Sequence, residues 1–206
     1  MHTNFFRLTS FFLLFLALLS HSLIAKPSTS ELSAQQLIKA LQAGGHVLYM
    51  RHAMTDHNQK DQGVDRLDSC EKQRNLSVDG RQQAQQIGAK LSALKIPIGK
   101  VYSSPYCRCK DTAILTFGKM EIEKDLQFSM SKSPDESQYL GQRLKELMLS
   151  AKTDKVNTVF VGHTSNLKDG IGVWPKPEGV IVVFKINEGE VNYLGQLTPN
   201  TLLALQ

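Results

Sequence analysis

Internal repeats, low-complexity tracts and long blocks of like charge are all absent from this 206-residue chain, which excludes solenoids, propellers and charged interaction tails. Cysteine is scarce, at three residues, so a disulfide-dense miniature scaffold is excluded as well. With 41% hydrophobic and 21% charged residues, the composition is that of a globular protein, not of a disordered, collagenous or multi-span membrane chain. The formal net charge of +5 suits an anionic substrate or surface, but it is small and scattered, which argues against nucleic acid.

One long apolar run exists, at residues 11–19. Arg7 precedes it, and small or polar Ser20, Ser22 and Ala25 follow it ahead of a polar stretch. That order is the order of a secretory signal peptide. Cleavage is expected after Ala25, with Ser22 as the second position because Leu23 fits the third place before the cut poorly. A retained anchor helix is the alternative, although the run is short against the roughly 20 residues a span needs. No cysteine lies near either position, so lipid attachment is not expected. Residues 26–206 should then form one exported domain, periplasmic or secreted, with no stable membrane span after signal removal. No pattern in the chain speaks to oligomeric state.

Along that domain, Ser33 and Gln36 form a capping box for a helix to about Leu41, ended by Gly44 and Gly45. Residues 46–50 (HVLYM) make a short apolar run, expected as a buried strand. Residues 53–76 are polar and turn-rich, a long loop of the kind that carries function. Ser77 caps a helix to about Leu94 with Ala84, Ile87 and Leu91 on one face. A second strand around Val101 and Tyr102 leads through Ser103-Ser104-Pro105 into a helix stopped at Gly118. Residues 121–128 alternate like an edge strand, and Ser133-Pro134 starts a helix to about Ala151. Residues 157–162 (NTVFVG) read as a buried strand, and 180–186 with 190–194 as a hairpin. The expected fold is α/β, a three-layer αβα sandwich with a largely parallel central sheet.

Three polar clusters then fall at the carboxyl ends of three strands: Arg51-His52, Ser103-Ser104-Pro105 leading to Arg108, and His163-Thr164. In open α/β sheets that edge is where ligands bind. Two guanidinium forks match phosphate geometry, and an imidazole is a nucleophile near neutral pH. Together they describe an oxyanion pocket containing a nucleophile. No metal or other cofactor is expected, because cationic side chains take the charge-stabilising role. A four-histidine metal site from His46, His52, His57 and His163 is set aside, since His46 and His52 sit at opposite ends of one strand. Zinc on Cys107-x-Cys109 is set aside too, for want of further close-spaced ligands.

Met50-Arg51-His52-Ala53, Asn58, Leu76-Ser77-x-x-Gly80-Arg81-x-x-Ala84, Ser103-Ser104-Pro105-x-x-Arg108 and Gly162-His163 resemble the histidine phosphatase superfamily, with its phosphoglycerate-mutase-like fold. The likeness covers about residues 45–186 in family order. It implies that His52 becomes phosphorylated, that Arg51, Arg108 and a protonated His163 hold the phosphoryl oxygens, and that Asn58 adds a contact. A carboxylate must protonate the leaving group, and the resemblance puts Glu136 first, then Asp135, with Glu178 a further candidate. Ala53 replaces the family's glycine, which alters the backbone if a positive φ is needed there. The implied activity is a phosphomonoesterase, acting on a phosphorylated small molecule or an envelope glycan phosphate. A mutase is disfavoured by export. The rival function is a non-catalytic phosphate- or glycan-phosphate-binding module on the same scaffold.

Export also permits a disulfide. A bridge between Cys107 and Cys109 would be strained, leaving Cys70 to pair with one of them. Successive helical residues are turned by about 100°. If Arg108 points into a phosphate pocket, its two neighbours therefore diverge, and Cys107 is the expected partner, with Cys109 open.

Overall fold

The apolar residues of the strands fall on both sides of the pleat, which decides the architecture. The computed structural model describes residues 31–63, 67, 69–151 and 154–205; the expected signal peptide and its cleavage positions lie outside them. Six strands form one sheet: β1 (Val47–Arg51), β2 (Ile98–Ser103), β3 (Glu121–Ile122), β4 (Asn157–Gly162), β5 (Ile181–Asn187) and β6 (Glu190–Leu197). Their spatial order is β3-β2-β4-β1-β5-β6. β3, β2, β4 and β1 run parallel, whereas β5 and β6 are antiparallel additions. The sheet is thus mixed: β5 runs against β1, and the hairpin at Glu188-Gly189 returns β6 antiparallel to β5.

Among the described residues six α-helices cover it: α1 (Ala34–Ala43), α2 (Val78–Ala93), α3 (Cys107–Phe117), α4 (Pro134–Leu149), α5 (Thr164–Ile171) and α6 (Pro199–Ala204). Leu48 and Met50 of β1 with Val159 and Val161 of β4 pack against α1, α2, α3 and α6. Val47, Tyr49 and Phe160 pack on the other face against α4 and α5. A strand buried on both faces must read as a continuous apolar run, which HVLYM and NTVFVG do. Three layers result, as expected, and among the described residues no helix is long and apolar enough to cross a membrane.

The capping box at Ser33 and Gln36 is present, and Gly118 ends α3 in the left-handed conformation. Three elements differ from expectation. The stretch expected as an edge strand over 121–128 is a two-residue strand followed by a short 3-10 helix at Lys124–Leu126. Helices α5 and α6 fall where the sequence pattern assigned no element; each is short, below the length at which periodicity is diagnostic.

The long segment 53–76 is closed at its base. Thr55 bridges Leu76, Ser77 N–H donates to Met54 O, and Asp56 N–H donates to Asn75 O. Gly80 makes this closure possible: a Cβ there would stand 1.8 Å from Met54 O. At its far side the segment is bolted to α3 by a disulfide between Cys70 and Cys107, with Cα atoms 5.7 Å apart. Cys109 is buried and free.

Closing a loop of 37 residues contributes about 3 to 4 kcal/mol in the chain-entropy model. Replacing Cys70 and Cys107 together by serine should lower the unfolding free energy by up to that amount, read as a reduced urea midpoint. Non-reducing peptide maps should hold a Cys70–Cys107 peptide; a Cys70–Cys109 peptide would contradict the structure.

Candidate active site

Because β2, β4 and β1 are neighbours in the sheet, their carboxyl ends bring the three polar clusters together. His52 N–H donates to Gly162 O and Ser104 N–H to Val161 O, so the chain leaving each strand stays pinned to β4. Tyr49 Oη donates to the carbonyl of His163 at 2.7 Å. Gly162 leaves room for that phenol, since a Cβ would lie 2.3 Å from it. The rings of His52 and His163 are 5.5 Å apart, edge to face. His52, Arg108 and His163 are only 3%, 0% and 1% exposed.

Nδ1 of His52 lies 3.0 Å from the carbonyl of its neighbour Ala53. A carbonyl only accepts, so Nδ1 carries the proton and Nε2 keeps its lone pair. Burial, and then the charges of Arg108, Arg51 and Arg74, hold the His52 pKa well below the usual histidine range. The ring is therefore neutral and nucleophilic at neutral pH. Ala53 is buried and is not among the non-glycine residues with positive φ; its N–H donates to Thr112 Oγ1 at 3.0 Å. The alanine thus costs the backbone nothing here.

His163 departs from expectation. Burial, with Arg108, His52, Arg74 and Arg51 adding to it, pushes its pKa well down too, so it is neutral in the free protein, not protonated. Its Nε2 lies 2.9 Å from Ser104 Oγ and 3.6 Å from Cys109 Sγ. The rings of Tyr106 and Phe128 pack against it. Burial pushes the Cys109 thiol up to about 12, which makes it an inert filler.

Arg108 projects from the first turn of α3, and its guanidinium lies over the Tyr106 ring at 4.5 Å. Its Nη1 donates to Asp61 Oδ1 at 2.9 Å and to Arg74 O at 3.3 Å. Arg51 donates through Nη2 to Glu178 Oε1 at 3.2 Å. Glu178 also accepts from Thr55 N–H and Oγ1 and approaches Nδ1 of His52 at 3.9 Å.

Of the residues singled out from sequence, Arg51, His52, Arg108, His163 and Glu178 thus come together. Asn58 is exposed, donates its N–H to Asp56 Oδ1, and lines an open cleft of about 1140 Å³ shared with Arg51, Thr55, Ser77, Gln83 and Glu178. Glu136, in the first turn of α4, pairs with Lys132 at 3.0 Å, and its N–H donates to Ser133 Oγ. Asp135 beside it is exposed. Neither carboxylate bonds to the His52–Arg108–His163 group, although Phe128, a few residues upstream, packs on His163. Sequence reasoning missed Asp61, Arg74 and Thr55. Arg74 stood two residues before the Leu76-Ser77 motif and four after Cys70, a usable signal; Asp61 had none.

The arrangement can do one kind of chemistry well. A neutral imidazole with a free Nε2, beside buried guanidiniums, can attack an electrophilic phosphorus while N–H donors hold its oxygens.

The family model of the histidine phosphatase superfamily (branch 1) matches residues 47–129, the span holding Arg51, His52 and Arg108. No curated protein matches the chain. Among solved structures, the protein histidine phosphatase SixA complexed with tungstate is 16% identical, with a TM-score of 0.54 over 76% of this chain and 99% of that one. A variant of phosphoserine phosphatase from Entamoeba histolytica, in complex with phosphoserine, is 15% identical, with a TM-score of 0.57 over 76% and 98%. The same organism's phosphoserine phosphatase with 3-phosphoglyceric acid is 19% identical, with a TM-score of 0.55 over 76% and 98%. At such identities the shared property is the fold, and the match over β1, α2, β2 and α3 adds the motif residues to it. Over residues 47–129 the chain is similar to the histidine phosphatase superfamily (branch 1), and its fold is that of the phosphatase structures above.

Proposed function

We propose that this protein is an exported phosphomonoesterase that works through a phosphohistidine on His52. The observation that carries the reading is the Nδ1–H of His52 donated to the Ala53 carbonyl, which leaves Nε2 as the basic atom of a buried, neutral ring beside Arg108. In the first step Nε2 attacks phosphorus, the ester P–O bond breaks, and a carboxylic acid passes its proton to the departing oxygen. In the second step water attacks the phosphohistidine, its proton returns to that carboxylate, and the N–P bond breaks to release phosphate. Arg51 and Arg108 hold the equatorial oxygens. His163, neutral beforehand, donates one hydrogen bond and gains proton affinity once a phosphate dianion is next to it.

We assign proton donation to Glu136, with Asp135 beside it and Asp61, which meets Arg108, as the other candidates. Glu178 lies on the Nδ1 edge of His52, the side away from Nε2, and so suits support of the positive charge that phosphorylation gives the ring. Export is supported by the apolar run at 11–19 and by the disulfide. The cleft beside Arg51, lined by Asn58, Ser77 and Gln83, offers hydrogen bonds suited to a sugar, so an envelope sugar phosphate is the substrate class we favour. The SixA and phosphoserine phosphatase relatives are described as acting on phosphohistidine protein and phosphoserine, which makes phosphorylated amino acids the comparison substrates.

The mature protein should hydrolyse p-nitrophenyl phosphate, and His52→Ala should lose at least a thousandfold in turnover while retaining its thermal transition. A folded His52→Ala protein with substantial activity would remove His52 from the reaction. A wild type that binds phosphate without turnover would leave a phosphate-binding module instead.

A poor leaving group needs its proton far more than a phenolate does. Glu136→Gln should therefore slow alkyl phosphate hydrolysis at least tenfold more than p-nitrophenyl phosphate hydrolysis. Equal slowing, with the split appearing in Asp61→Asn or Asp135→Asn, would move the role to that residue.

A further inference from the structure

The segment 69–76 has more structural ties to the pocket than a connecting loop needs. Cys70 is bonded to Cys107, and Gln73 Oε1 accepts the N–H of Cys107, one of the donors at the start of α3 that lacks a helical partner. Arg74 itself meets Arg108 through its carbonyl at 3.3 Å, and its N–H donates to the same Asp61 oxygen that Arg108 holds. All of those bonds use the Arg74 backbone. Its guanidinium makes no ion pair among the described residues, and its Nε–H is buried without an acceptor, as are those of Arg51 and Arg108. The Arg74 charge lowers the proton affinity of His52, His163 and Arg51 alike, after burial and the nearer charges, so its guanidinium shares their side of the pocket.

The charges around this point are otherwise matched: Arg51 with Glu178 and Arg108 with Asp61. Among the described residues Arg74 is the cation of this group with no ion pair, and both histidines are neutral. A group of three guanidiniums with unpartnered Nε–H donors is built for a multiply charged tetrahedral anion.

We propose that Arg74 is a third phosphate-binding arginine, forming with Arg51 and Arg108 a guanidinium cradle around the phosphoryl group delivered to His52, and that Asp61 yields Arg108 to that group on binding. The proposal rests on the phosphatase reading for the identity of the anion. Asp61 remains attached to the Arg74 N–H when it yields, so the exchange at Arg108 replaces one oxygen by another without unfolding the segment. The disulfide holds the third arginine in place from only four residues away.

The side chain can be removed without touching the backbone bonds that it shares with Asp61 and Arg108, so Arg74→Gln isolates the guanidinium. Calorimetric titration with inorganic phosphate should show affinity about tenfold to a hundredfold weaker in Arg74→Gln than in wild type, the loss expected for charge-assisted bonds. A second readout is the acidic limb of kcat/KM. Among the described residues the charged and titratable groups around His52 and His163, which also face each other, are Arg51, Arg74, Arg108, Glu178, Asp61, Cys109, Tyr49 and Tyr106, and only Arg74 changes. Loss of its charge raises both imidazole pKa values, so the limb should move to higher pH; Arg74→Lys should restore the limb but not the full affinity.

Phosphate affinity within twofold of wild type in a folded Arg74→Gln protein would overturn the proposal. So would weakened affinity with an unmoved limb, which would mean a merely structural role. If Arg74→Gln fails to fold, Arg74→Lys decides, because a fork-dependent site must still lose affinity for phosphate. A wild type that binds phosphate through Arg74 but turns nothing over would support the cradle and remove the phosphatase reading. A wild type that does not bind phosphate would overturn both.

Discussion

Burial of the Arg108 guanidinium is the constraint on which the rest of the site depends. A charge with no solvent exposure is tolerated only if it is paired and hydrogen-bonded. Asp61 supplies the counter-charge, the Arg74 carbonyl a second acceptor, and the Tyr106 ring a face for the flat group. Each of those partners comes from a different place in the chain, and two belong to the segment 53–76. That segment must therefore be held over α3, which is what the disulfide and the Thr55–Leu76 closure do. Burial first, and then the same cation, lowers the proton affinity of both histidines, so the dry, positive surroundings that make the site costly to fold also keep His52 nucleophilic.

The sheet supplies the second requirement, convergence. Strands β2, β4 and β1 are adjacent and parallel, so residues far apart in sequence leave the sheet at one edge. Hydrogen bonds from His52 and Ser104 to β4 carbonyls and from Tyr49 to the His163 carbonyl fix the directions in which they leave. The antiparallel hairpin β5–β6 widens the core, and the chain just before β5 supplies Glu178 to Arg51.

Much of this was legible in the chain. HVLYM and NTVFVG announced strands buried on both faces because their apolar run has no polar alternation, and Arg51, His52 and His163 followed directly from where those runs stop. Arg108 was legible from its place in a first helical turn after Ser103-Ser104-Pro105. The rotation of successive helical residues let only one of Cys107 and Cys109 meet Cys70 and left the choice open; the fold makes it Cys107. What stayed hidden depends on tertiary closure. Asp61 lies in a polar stretch with no periodicity, and its approach to Arg108 is a property of how the loop folds back. The neutral state of His163 was misjudged because its residue type speaks for charge, while its fully buried position beside arginines decides against it. Glu178 and Glu136 were both visible as carboxylates, but only the fold shows that one meets Arg51 and the other Lys132.

The central claim is that a buried, neutral His52 accepts the phosphoryl group. Rapid mixing of the mature protein with an isotopically labelled phosphomonoester, followed by quenching in alkali and peptide mapping, tests it most directly. The account predicts label that survives alkali, is released by mild acid, and maps to the peptide containing His52. Turnover that proceeds with no labelled protein at any mixing time, or label on a peptide other than that of His52, would contradict it.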